Sequence, residues 1–131
     1  MPKPYPPCDL GQLPVDTINR TLGTELLPGP VRLSTTAHQH AAKDHPDDYP
    51  VCEPLIQQVI SDPAFIGQAP RHARDIELLR RVPGGSGDAV LVAVGIEMNE
   101  AGNYAVRSFY LITEAELSAK RQRGHIRLAH K

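Results

Sequence analysis

With 131 residues, a formal net charge of −1 and 22% charged residues, the chain has the size and polarity of one folded domain, not of a disordered segment. No apolar run reaches membrane length, and Cys8 and Cys52 lack the spacing of a disulfide framework, which leaves a single bridge between them open. Four tyrosines, two phenylalanines and no tryptophan mean that the core must be built from Leu, Ile, Val and Ala.

Residues 1–10, "MPKPYPPCDL", place four prolines in the first seven positions and favour an extended linker. They contain no apolar signal region. A proline-rich leader suits a module at the tail of a longer protein, with residues 11–131 as the domain. "LPVDTINRTLG" predicts a short helix that Pro14 or Asp16 starts and Gly23 ends, with Ile18 and Leu22 on its apolar face. "PGP" at 28–30 breaks the chain, and "VRLS" predicts a short strand. Ser34 or Thr35 can cap a helix through Lys43, which Pro46 ends near His45. A second helix is expected over 50–61, with Leu55, Ile56, Val59 and Ile60 as its apolar stripe, followed by a loop over 62–70.

The remainder predicts strands. "DIELLRRV", "AVLVAVGIEM" and "YAVRSFYLIT" are joined by the turns "PGGSG" and "NEAGN", which implies an antiparallel meander. Strict alternation puts Tyr104, Val106, Ser108 and Tyr110 on one face of the last strand. Ala105, Arg107, Phe109 and Leu111 fall on the other. Thr113 and Glu116 form a capping box for a helix stopped by Gly124, and "HIRLAH" follows as a short strand. Helices first and strands second is an α+β order. Charge is uneven along this plan: residues 1–70 carry four basic and eight acidic side chains, 71–131 ten basic and seven acidic. Such asymmetry fits an anionic partner, and fits ordinary solvated surface as well.

The segment "TTAHQHAAKDHP" holds three of the six histidines. On a helix His38 and His45 share nearly one face, and His40 lies on another. The spacings of two, five and seven do not match the pair four apart that zinc uses on a helix, and Asp44, Asp47 and Asp48 complete no metal motif. Histidine titrates near neutrality and can take or give a proton, and Lys43 could hold a developing negative charge. Two histidines, a cation and a hydroxyl suffice to cleave RNA by attack of the ribose 2′-oxygen on the neighbouring phosphorus. A polar helix with exposed histidines also needs no function at all, and His40 is read as such a bystander.

Several patterns taken in order resemble a known group. They are "VRLSTTAHQHAAKDHP", "LIQQVISDPAFIG", the two middle strands and "YAVRSFYLIT". Together they resemble the phage-associated nucleases of the barnase–EndoU–colicin–RelE-like superfamily, which occur as C-terminal toxin modules of polymorphic toxins and phage proteins. The resemblance runs from about Gly11 to Gly124. It implies N-terminal helices on a four-stranded antiparallel sheet, a C-terminal helix, and a ribonuclease that needs no metal or other cofactor. It implies His38 and His45 as catalytic residues, with Ser108 and Tyr110 from the late strand and Lys43 beside them. Arg80, Arg81 and Arg107 are the expected substrate-binding cations. Expected partners are RNA, including tRNA, and an acidic immunity protein, so that the chain is a monomer or a toxin–immunity heterodimer. Delivery as part of a larger protein to a target cell's cytoplasm follows from the same resemblance. The alternatives are a non-catalytic RNA- or protein-binding module on the same scaffold, and a metal-dependent hydrolase built on the His/Asp cluster.

Overall fold

The computed structural model describes residues 5–68 and 73–131. In chain order its elements are β1 (Cys8–Gln12), α1 (Val15–Leu22), β2 (Pro30–Leu33), α2 (Thr35–Asp44), α3 (Tyr49–Cys52), α4 (Ile56–Ser61) and β3 (Phe65–Gly67). They continue with β4 (Asp75–Arg81), β5 (Ala89–Gly95), β6 (Tyr104–Ile112), α5 (Glu114–Gln122) and β7 (Ile126–Leu128). The class is α+β, as expected. The sheet departs from the expectation: among the described residues it has seven strands in the order β1-β2-β6-β5-β4-β3-β7, not four, and β2 runs parallel to β6.

The middle strands are covered on both faces, so they read as near-continuous apolar runs. Val90, Val92 and Val94 of β5 point into a first core with Ile18, Ala41, Ile56, Val59 and Ile60 from the N-terminal helices. Ala89 and Leu91 point into a second core, with Phe65, Leu79, Ile112, Ile126 and Leu117 of α5. The capping box fixes α5: Thr113 Oγ1 accepts from Glu116 N at 3.1 Å, and Glu116 Oε1 accepts from Thr113 N at 3.0 Å. α2 starts as the sequence predicts, with the Ser34 hydroxyl accepting from Ala37 N at 3.1 Å.

Four further expectations are corrected. Tyr5 to Leu10, read as linker, join the fold: Cys8 and Asp9 pair with Leu33 and Arg32, and Leu10 is buried. Residues 1–4 of that linker, and 69–70 of the expected loop, lie outside the described residues. Within the loop, Phe65–Gly67 forms β3 between β4 and β7. Gly67 is required there, since a Cβ would lie 2.0 Å from the His125 carbonyl oxygen. The helix expected over 50–61 is split into α3 and α4 by a tight 3-10 turn at Glu53–Leu55. Pro54 has no amide hydrogen to continue an α-helical ladder.

The fourth correction concerns faces. Ala93 pairs with Ser108 but Val94 pairs with Val106, so Arg107 is an extra residue in β6, a β-bulge. The bulge reverses the alternation. Tyr104, Val106 and Phe109 therefore share the first core, whereas Tyr110 and Ile112 pack on the second.

Residues 129–131 strap α1 to the sheet. Ala129 N donates to Ala64 O at 3.0 Å, His130 N to Thr21 Oγ1 at 2.9 Å, and Arg20 Nε to His130 O at 3.0 Å. Asp62 accepts from Lys131 and from Arg80. The Lys131 hydrogen bond, aided by the nearby positive charges, holds the Asp62 carboxyl below its usual range. A depressed folded pKa contributes stability that is present above the unfolded value and lost as pH falls through the folded one. Asp62→Asn should therefore lower the thermal midpoint at neutral pH, and the difference from wild type should close as pH drops below about 4. A thermal denaturation series from pH 7 to pH 2.5 checks this; a difference independent of pH would contradict it.

Both cysteines are free. Cys52 is fully buried, and burial followed by the Asp48 charge pushes its thiol up to about 12. Only the thiolate attacks a disulfide reagent, so the native chain should titrate a single thiol, Cys8, with Cys52 reacting only in denaturant. Reaction of both in the folded state would contradict the packing.

Candidate active site

β2 covers the outer edge of β6 only at Tyr104 and Ala105. Farther along, the α2–α3 segment takes over that edge. Asp48, one of the carboxylates weighed as a metal ligand, accepts from Leu111 N at 3.1 Å and so closes a backbone donor on β6. The connection brings His45, the residue that ends α2, onto β6. Its ring stacks on Tyr110, with centroids 4.8 Å apart and planes inclined by 25°. Neither His45 ring nitrogen is hydrogen-bonded among the described residues. Burial, then the Glu77 and Glu116 carboxylates, push the Tyr110 phenol above its usual range, so it stays an O–H donor at neutral pH.

Ser108 lies one row along the same face. Glu77, Ala93 and Ser108 are aligned across β4, β5 and β6, and the next row is Leu79, Leu91 and Tyr110. Glu77 is nearly inaccessible, its side chain 8% exposed, and it is paired at 3.0 Å with Lys120 Nζ from α5. Neither residue was among those expected at the site. A signal existed: alternation in "DIELLRRV" puts Glu77 on the face of Leu79, and a carboxylate on an apolar face demands a partner.

The other expected residues divide. His38 is 3% exposed and does not join His45. Its Nδ1 faces the Pro6 carbonyl at 3.0 Å, its Nε2 faces the Tyr49 hydroxyl at 2.6 Å, and Tyr5, Tyr49 and Phe109 surround the ring. A carbonyl can only accept, so Nδ1 carries the proton and Nε2 accepts from Tyr49. Burial, then Glu53, hold the Tyr49 phenol above its usual range, which keeps it the donor. With both nitrogens used inside an aromatic cage, His38 anchors the N-terminal strand to α2 and has no access to substrate. The structure therefore does not bring His38 and His45, both expected as catalytic residues, together at one site.

Lys43 is exposed on the last turn of α2, where a cation suits the helix dipole, and makes no ion pair among the described residues. His40 is exposed, as the bystander reading expects. Arg80 and Arg81, adjacent in β4, leave the strand on opposite faces, and each is engaged elsewhere. Arg80 donates to the Asp62 carbonyl and carboxylate, both at 2.9 Å. Arg81 lies 3.9 Å from Glu114 and over the Phe65 ring. Arg107, expected to face away from Ser108, is its neighbour in the bulge and reaches toward Asp75 and Gly95.

The second face of the sheet thus gathers an imidazole, a phenol, a hydroxyl, a half-buried ammonium paired with a buried carboxylate, and an exposed guanidinium. Such a set can move protons and hold an anion. Among the described residues no three His, Cys, Asp or Glu side chains converge as metal ligands would. No helix there is long and apolar enough to cross a membrane. No protein-family model, curated protein or solved structure matches the chain.

Proposed function

We propose that the chain is a metal-independent endoribonuclease, a toxin module of the phage-associated kind that its sequence resembles, with its site on the second face of the sheet. The observation that carries the reading is the stack of His45 on Tyr110 at the edge of β6, one row from Ser108. In the proposed reaction His45 takes the proton of a ribose 2′-hydroxyl, and that oxygen attacks the adjacent phosphorus. Lys120, Arg107 and the Ser108 hydroxyl hold the charge of the phosphorane. Tyr110 protonates the departing 5′-oxygen, a far stronger base than phenolate. Proton transfer from the His45 imidazolium to the phenolate restores both groups. The products are a 2′,3′-cyclic phosphate and a 5′-hydroxyl.

The proposed partners are RNA, including tRNA, and an acidic immunity protein that covers the Tyr110 face in the cell that makes the toxin. Delivery into a target cell's cytoplasm within a larger protein belongs to the same proposal. Expression without a partner in a bacterial cytoplasm should stop growth and fragment RNA. Normal growth with intact RNA would count against the reading. The rival, a binding module without catalysis, draws support from the burial of His38 and Glu77, which removes one expected acid–base group and keeps a carboxylate from substrate. It predicts RNA retention with no cleavage.

A further inference from the structure

With neither ring nitrogen of His45 hydrogen-bonded among the described residues, the backbone must aim the imidazole at Tyr110. That backbone is held on both sides. Its N–H donates to the Ala41 carbonyl at 3.1 Å, the last bond of α2, and its carbonyl accepts from Asp48 N at 3.1 Å and Tyr49 N at 2.9 Å. At His45 the chain leaves helical geometry, with φ −132° and ψ 61°, as a residue before proline prefers. The segment from His45 to Asp48 is therefore a short closed turn. Its placement against β6 decides where the imidazole lies.

Asp48 sets that placement. It begins α3, its carbonyl accepting from Val51 N and Cys52 N at 3.0 and 2.9 Å. Aspartate at such a position commonly caps its own helix, yet the Asp48 side chain makes no cap bond. Its Oδ2 instead reaches Leu111, 63 positions away in the chain, and accepts from the amide at 3.1 Å. β2 pairs with β6 only through Tyr104 and Ala105, so the carboxylate stands where a carbonyl of a longer β2 would have stood. Leu111 follows Tyr110, and Asp48 lies three residues after His45. The two contacts, carboxylate on amide and imidazole on phenol, thus join the same two segments side by side. Ring stacking is satisfied over a range of offsets, whereas a hydrogen bond fixes both distance and direction. The Asp48 bond is the one that sets the register.

We infer that Asp48 is a positioning residue that holds the His45 ring on Tyr110 through the Leu111 amide; as a contribution to catalysis this rests on the ribonuclease reading. Misplacing a catalytic group by an ångström can cost about 10²-fold, so Asp48→Ala should lower kcat for RNA cleavage by roughly ten- to a hundredfold with KM little changed. Asp48→Asn removes the charge and keeps an acceptor oxygen, so it should retain kcat. A second readout needs no RNA. The ring current of Tyr110 should place the His45 ring protons upfield, in NMR spectra of the full chain, of their positions in Tyr110→Leu. They should stay upfield in Asp48→Asn and move to the Tyr110→Leu positions in Asp48→Ala. Should Asp48→Ala not fold, Asp48→Glu decides. It keeps the charge and adds a methylene, so it should displace the ring protons that Asp48→Asn leaves in place. The reverse order would make charge the agent and overturn the inference. So would wild-type ring positions in Asp48→Ala and Asp48→Glu, or a lost kcat with the ring still stacked. Ring positions in the predicted order without cleavage by the wild-type chain uphold the tether and sink the ribonuclease reading alone. Cleavage with ring positions indifferent to residue 48 sinks the tether alone.

Discussion

Replacing His45 by alanine is expected to slow RNA cleavage by a factor of roughly 10² to 10⁴, the usual contribution of a positioned acid–base group, while leaving the thermal midpoint close to wild type. The reason is where the ring sits. It is partly exposed at the end of α2, its stack on Tyr110 is its one aromatic contact among the described residues, and it carries no hydrogen bond that the fold needs. His38→Ala should do the reverse. It deletes a ring packed among Tyr5, Tyr49 and Phe109 and strands the Tyr49 hydroxyl and the Pro6 carbonyl. Cavity and unpaired groups together should cost about 2–4 kcal/mol, with activity per folded molecule retained. Initial rates and urea denaturation on the two variants check the pair. A stable, inactive His38→Ala would return catalysis to the first face of the sheet.

The second large effect is expected at Lys120. Lys120→Met keeps the length of the stem and removes the ammonium, leaving the Glu77 carboxylate, 8% exposed, without its cation. Breaking a buried pair from one side typically costs 3–5 kcal/mol. Lys120 keeps 23% exposure, so water offsets part of this and about 2–3 kcal/mol is expected. The double variant Glu77→Gln/Lys120→Met should recover most of that stability, because no uncompensated charge remains. It should not recover cleavage, because the cation proposed to face the phosphorane is gone. Denaturation of the two single variants and the double variant gives the coupling. A double variant that regains full activity would remove Lys120 from the proposed chemistry.

What the sequence made legible was local. The Ser34 cap, the Thr113–Glu116 box and the three long apolar strands each draw their signal from neighbouring residues, and each element formed where expected. What it hid depends on partners distant in the chain. Residues Cys8–Gln12 become a strand only because β2 offers an edge, and Phe65–Gly67 only because β4 and β7 flank it. Proline and turn signals in those segments argued for loops. The bulge at Arg107 leaves no mark on composition, yet it decides which face Ser108 and Tyr110 occupy. The site was half visible for the same reason. Helical spacing puts His38 and His45 on one face, but it cannot show that Tyr5, Pro6 and Tyr49 converge on the first and that β6 alone meets the second. Glu77 and Lys120, 43 residues apart in sequence, meet only once α5 has folded onto the sheet.

The most direct test of the central claim is to incubate the purified chain and its His45→Ala variant with total RNA in excess EDTA and to identify the new ends. The account predicts cleavage by the wild-type chain that EDTA does not affect, loss of that cleavage in the variant, and 2′,3′-cyclic phosphate ends paired with 5′-hydroxyls. Cleavage that EDTA abolishes and zinc or manganese restores, cleavage indifferent to His45, or RNA left intact would each contradict it.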